Sequence, residues 1–183
     1  MSYFLLWIVW QLNLYANQLC GLDSRGRGTY TSEGITAVAN ALRVNGSLTS
    51  CDVRGNDIVG DGASQLSAAV LTNTKIEKFN EIPIKEMRAD SLTELDLKSK
   101  KIGVEGSMVV AGLVPVMGSL TSIDVGFNSI GKKAALNLVS IFKEKQMTSV
   151  GLAGCDLDVD GAKAVADYVR VTGSLTSVWT PAH

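Results

Sequence analysis

The side chains best able to do chemistry are acids and bases set two residues apart. Asp52 precedes Arg54, Glu94 and Asp96 precede Lys98, and Asp124 stands in the same local context further on. Two carboxylates can act as general acid and base when their surroundings drive their pKa values apart. These acids recur too evenly along the chain for one to be raised and its neighbour lowered. Recurrence also argues against a catalytic hydroxyl at Ser50, Ser122, Ser149 or Ser177, and at Thr49, Thr93, Thr121, Thr148 or Thr176, because nucleophilic catalysis needs one special group. The only histidine is His183, which provides neither a triad nor a zinc cluster. The segment Gly151-Leu-Ala-Gly154 lacks the lysine of a phosphate-binding loop. Asp156-Leu-Asp-Val-Asp-Gly161 followed by Asp167 has the spacing of a calcium loop, with Asp where the longer Glu belongs. Its Leu157 is better explained by a sequence repeat. No catalytic residue, metal site or cofactor is expected. The chemistry left is recognition, with Asp52, Arg54, Glu94, Asp96, Lys98 and Asp124 as polar contacts and Phe127 and Trp179 as aromatic anchors of the kind enriched in binding hot spots. The competing use of these charges is solubility, with Asp52/Arg54 and Asp96/Lys98 pairing weakly on the surface.

The elements that must hold these residues are set by a repeat. From Gly118 to Gly131 the apolar residues Leu120, Ile123, Val125 and Ile130, with Asn128, follow L-x-x-L-x-L-x-x-N-x-L. The template also fits Val9/Leu12/Leu14/Asn17/Leu19, Leu48/Cys51/Val53/Asn56/Ile58, Leu92/Leu95/Leu97/Lys100/Ile102 and Met147/Val150/Leu152/Cys155/Leu157. It begins again at Leu175/Val178. Starts at 92, 120, 147 and 175 are 28, 27 and 28 residues apart. A degenerate unit starts at Ile76 and Phe79 and is spoiled by Glu81 and Pro83, and a Gly- and Arg-rich insertion over 21–34 reads as loop.

In each unit the closely spaced apolar pair marks a short strand, and the residues between point to the opposite side. The intervening side chains form a column: Asn13, Asp52, Asn80, Asp96, Asp124, Gly151 and Trp179. The next column is Tyr15, Arg54, Lys98, Gly126 and Ala153. Asn17, Asn56 and Asn128 are expected to satisfy backbone groups where the chain leaves the strand, as an asparagine ladder that Lys100 and Cys155 interrupt. Apolar periodicity predicts helices over 35–42, 63–71, 107–117, 133–142 and 162–171, with Pro115 shortening or kinking the third of these.

A strand and a helix every 28 residues resemble the ribonuclease-inhibitor-like class of leucine-rich repeats, which is also found in NOD-like receptors and in the GTPase-activating protein for Ran. The resemblance covers residues 9 to 180 and implies one α/β solenoid over 1–183, a horseshoe arc with parallel strands on the concave face and helices on the convex face. The function it implies is non-enzymatic protein binding through the concave sheet, as an adaptor or a subunit of a multisubunit complex. The alternative is regulation of an enzyme, as a GTPase activator or an inhibitor of the ribonuclease-inhibitor type. A NOD-like receptor would also need a nucleotide-binding domain.

Net charge is −1, from 17 basic and 18 acidic residues, which points to neither nucleic acid nor an anionic membrane as partner. Cys51 and Cys155 read as small buried hydrophobes and Cys20 as partly exposed. Three cysteines without clustered caps favour a reducing, intracellular and cytoplasmic setting. The apolar run Tyr3–Trp10 is too short to span a membrane and lacks a basic flank, so it reads as a first strand with extra apolar residues that shield the open end, the alternatives being a secretory or organellar signal and docking on a partner.

Overall fold

The computed structural model of the chain describes residues 10–145, 147–173 and 175–179, the side chains of 178 and 179 excepted. The expected apolar first strand over Tyr3–Trp10 therefore lies, apart from Trp10, outside the described residues. Strand and helix alternate as β1 (Gln11–Asn13), α1 (Glu33–Val44), β2 (Ser50–Asp52), α2 (Gly60–Thr72), β3 (Lys78–Phe79), α3 (Ile84–Arg88) and β4 (Glu94–Asp96). They continue as α4 (Gly103–Leu113), β5 (Ser122–Asp124), α5 (Lys132–Lys145), β6 (Ser149–Gly151), α6 (Asp158–Val171) and β7 (Ser177–Trp179). The fold is mixed α/β, with two parallel sheets ordered β1-β2-β3 and β4-β5-β6-β7.

Register follows the repeat. Leu12 pairs with Cys51 and Cys51 with Phe79, while Leu95, Ile123, Val150 and Val178 align across the second sheet. Cys51, Phe79, Leu95, Ile123 and Val150 are all buried, because alternation in a strand sends every second side chain to the same side. The helices cover that side. In α1 the buried residues are Ile35, Ala39 and Leu42, and in α5 they are Ala135, Leu138, Val139 and Phe142, the three- and four-residue spacing of one helical face. Burying a Leu, Ile or Phe in such a layer contributes about 1.5–3 kcal/mol each.

The helices begin one to four residues before the expected starts, and α1 already includes Glu33 and Gly34 of the expected loop. Their first turns are polar, which apolar periodicity does not see. Pro115 acts as expected: α4 ends at Leu113 and passes into a 3₁₀ turn over Val114–Val116.

The third unit is stunted. Asn80 and Glu81 take left-handed backbone conformations directly after β3, and Phe79 and Ile82 close a tight antiparallel bridge. Only five residues of helix follow. With α3 so short, α2 packs directly on α4, and a Cβ at Gly112 would lie 2.7 Å from Leu71 Cδ1. Arg88 fastens α3 by donating to the carbonyls of Val70 and Ile76, each at 2.9 Å. Among the described residues β3 and β4 do not pair. No helix among them is long and apolar enough to cross a membrane.

Candidate functional site

Three rows of side chains run across the exposed strand edges, and two have structural duties that their repetition in the sequence did not disclose. At the start of the strands, Thr49, Thr121, Thr148 and Thr176 each donate both the backbone N–H and the hydroxyl to the carbonyl of the preceding unit, that of Trp10, Thr93, Thr121 and Thr148. The hydroxyl distances are 3.0 to 3.2 Å. At the end of the strands, Asn13, Asp52, Asp96 and Asp124 accept the backbone N–H two residues on, from Tyr15, Arg54, Lys98 and Gly126, at 2.8 to 3.1 Å. In these four units the column thus closes a local turn through one side-chain oxygen. Among the described residues the second oxygen has no hydrogen-bond partner at Asp96 and Asp124.

The asparagine row binds backbone groups between neighbouring units. Asn56 Oδ1 accepts the N–H groups of Asn17 and Leu19, and its Nδ2 donates to the carbonyls of Leu14 and Val53. Asn128 accepts from Ile102 and donates to Leu97 and Val125. Cys155 fills the same place with its thiol, which donates to the carbonyl of Val125 at 3.5 Å. Lys100 is exposed and takes no part. Asn17 contributes only its backbone N–H as an acceptor's partner, its own side chain turning to the Tyr15 carbonyl.

Asn80 corrects the expected surface column, since it is 1% exposed. Its Oδ1 accepts the Val53 N–H at 2.9 Å. In the other units the equivalent N–H groups, those of Leu14, Leu97 and Val125, bond a carbonyl of the following strand. A side chain has replaced a backbone acceptor that the stunted unit no longer offers.

Of the expected contacts, Asp52 and Arg54 are only about one-fifth exposed and are bound to each other: Nε donates to Oδ1 at 2.9 Å and Nη2 to Oδ2 at 2.6 Å. Arg54 also reaches Glu81 at 3.4 Å, donates to the Lys100 carbonyl at 3.1 Å, and lies over the Tyr15 ring at 5.6 Å. Burial would raise the Asp52 carboxyl, yet the hydrogen bonds and charge of Arg54 hold it below its ordinary value. Asp96 and Lys98 do not form the expected side-chain pair; the Lys98 ammonium sits 5.5 Å from the Phe127 ring centre instead. Phe127 is 48% exposed, and Glu94, Asp96 and Lys98 are exposed beside it. The Asp124 carboxyl lies over Gly151, where a Cβ would collide with it. Trp179 aligns with Gly151 in backbone register, and its side chain is outside the described residues.

Lys101 and Glu81 complete the arrangement, and sequence reading missed both. Lys101 Nζ donates to the Tyr15 hydroxyl at 3.2 Å, and Glu81 pairs with Lys78 at 2.9 Å. Phe127, Tyr15, Lys98 and Lys101 thus form an aromatic and basic rim beside the acids of β4 and β5. The signal for the rim was the Lys98–Lys101 run itself, which the repeat template treats as a flaw.

The three thiols are buried, Cys20 included, contrary to its expected partial exposure. Burial pushes Cys51 up to about 12 and Cys155 to about 11, so neither is a nucleophile at neutral pH. In the calcium-like segment Asp158 and Asp160 each hold Lys132 Nζ at 2.7 Å, so two of its acids already have a cationic partner.

No protein-family model matches the sequence, and no curated protein matches it. Among solved structures the chain is similar to a tropomodulin C-terminal domain from Caenorhabditis elegans, at 12% identity over 87% of this chain and 81% of that one, with a TM-score of 0.39. A likeness of that size carries no argument about function.

Proposed function

We propose that the chain is a leucine-rich-repeat solenoid arc, a single unit over 1–183 in the ribonuclease-inhibitor-like class, that binds a protein partner through its concave strand face and performs no catalysis of its own. The observation that carries the reading is the division of labour on that face. Thr and Asx side chains hold the strands and their turns internally, while Glu94, Asp96, Lys98 and Phe127 stay exposed in one patch on β4, β5 and the turns that follow them. Side chains with an internal duty have a reason to be there; among the described residues these four have none beyond their own turn and the contact of Lys98 with Phe127, and a charged rim around an exposed aromatic is the composition of a binding surface. Four strands in register give room for a standard interface of roughly 800 Å² per partner. A protein partner, in a multisubunit complex or alone, fits this face better than nucleic acid does, because acids lie between the bases. An intracellular, cytoplasmic setting agrees with three free, buried thiols.

Site-specific photo-crosslinking in the native source tests the reading. A crosslinking residue placed at 96 or 127 is expected to trap one protein species, and the yield to fall at least tenfold in Lys98→Glu. The same residue at Ala68 or Lys143, exposed on helices α2 and α5, is expected to trap none. Crosslinks confined to the helical positions would overturn the proposal.

A further inference from the structure

Every neighbouring pair of strands within each sheet is joined in parallel register, but among the described residues no backbone hydrogen bond crosses from β3 to β4. Side chains bridge this break. Asn80, which holds Val53 N–H on one side, donates through Nδ2 to the Ile102 carbonyl at 3.3 Å and to Glu105 Oε1 at 2.8 Å. One amide therefore ties the end of β2 to the first turn of α4. Glu105 is 3% exposed and has no ion-pair partner among the described residues. A cavity of about 380 Å³, lined by Glu105 with Asp57, Lys101, Gly103 and Phe127, runs alongside.

We propose that Glu105 and Asn80 form a proton-operated latch across the sheet break, in which neutral Glu105 holds the two sheets together and its ionisation loosens the seam. A neutral carboxyl can stay in this apolar place on the hydrogen bond from Asn80, whereas a carboxylate without a cation draws in water. Burial is the chief cause that raises the Glu105 carboxyl, to about 8; its own backbone N–H and the Asn80 amide lower it, and the Asp52 charge raises it. The other titratable groups facing it are Cys20, before α1, and Asp57 and Lys101 at the cavity. The folded value stands above the unfolded one of about 4.3, so the closed state binds the extra proton between them. The contribution of the latch is fully present below the unfolded value and is lost progressively as pH rises to about 8.

Amide hydrogen exchange on the full chain tests this, with Val53 N–H reporting the seam and Val125 N–H, bonded to the Gly151 carbonyl, reporting the second sheet. After correction for the intrinsic rise in exchange, Val53 is expected to speed up by as much as about tenfold further per pH unit between pH 5 and 8, then level off. Val125 is expected to show no such excess. Glu105→Gln, which keeps the neutral shape, is expected to abolish the excess at Val53. An unchanged Val53 profile in that variant would overturn the latch. So would a wild-type Glu105 carboxyl carbon that titrates by NMR near the ordinary carboxylate value, a measurement that stands even if the variant does not fold.

Discussion

The asparagine row shows at single residues why one side chain recurs and another does not. A primary amide offers a donor and an acceptor at once, and Asn128 uses both: it accepts from the Ile102 N–H at 3.2 Å and donates to the carbonyls of Leu97 and Val125 at 2.8 and 2.9 Å. Asn128→Ala would leave these groups buried and unpaired, each at a cost of about 1–3 kcal/mol less whatever water recovers. A loss of about 3 kcal/mol or more in urea unfolding is expected, against less than about 0.5 kcal/mol for Lys100→Ala at the corresponding exposed place. Near-equal losses would mean that the row is replaceable by solvent. Cys155 needs only a donor, since its thiol reaches the Val125 carbonyl, so a weak donor suffices there.

At the level of elements, the turn after β2 is braced by the Asp52–Arg54 side-chain pair as well as by the Arg54 N–H. Arg54 joins that turn to the Lys100 carbonyl beyond β4, and so spans the stunted unit. Asp52 is depressed below its ordinary value because the hydrogen bonds and charge of Arg54 outweigh the burial that would raise it. For a depressed acid the stabilisation is present above the unfolded value and lost as pH falls through the folded one. Acid unfolding below about pH 4 is therefore expected to include a contribution of about 1 kcal/mol from this pair, given its partial exposure, and Asp52→Asn to flatten the curve there. A variant curve parallel to the wild type would remove Arg54 from the account of the turn. Strands and long helices were legible in the sequence because their apolar residues keep a fixed period and a core of one thickness demands it. Helix starts were not, being polar. The acids of the strand ends were legible as a column but not as turn closers, because Asp accepts a backbone N–H and meets a partner equally well. Asn80 and Glu105 were not legible together: they are 25 residues apart, and their meeting depends on a unit that breaks the period.

On the scale of the whole molecule, each long helix packs chiefly on the next long helix along the chain, α1 on α2, α2 on α4 across the stunted unit, α4 on α5 and α5 on α6. Stability in such an array is close to a sum of unit terms and nearest-neighbour terms, so damage at one end should remain there. Tyr168 on α6 makes the test. It is 1% exposed, and its hydroxyl donates to the Met147 carbonyl at 3.3 Å, which fixes α6 to the start of the β6 unit. Tyr168→Ala is expected to cost about 3–5 kcal/mol locally, as large aromatic truncations do. Hydrogen exchange should then show lost protection in α6, β6 and β7, while β1 and β2 keep theirs, because the break between β3 and β4 offers no backbone ladder along which the loss could spread. Equal loss in both sheets would mean that α2 packed on α4 couples them as strongly as a continuous sheet would, and that the side chains across the break join one cooperative body.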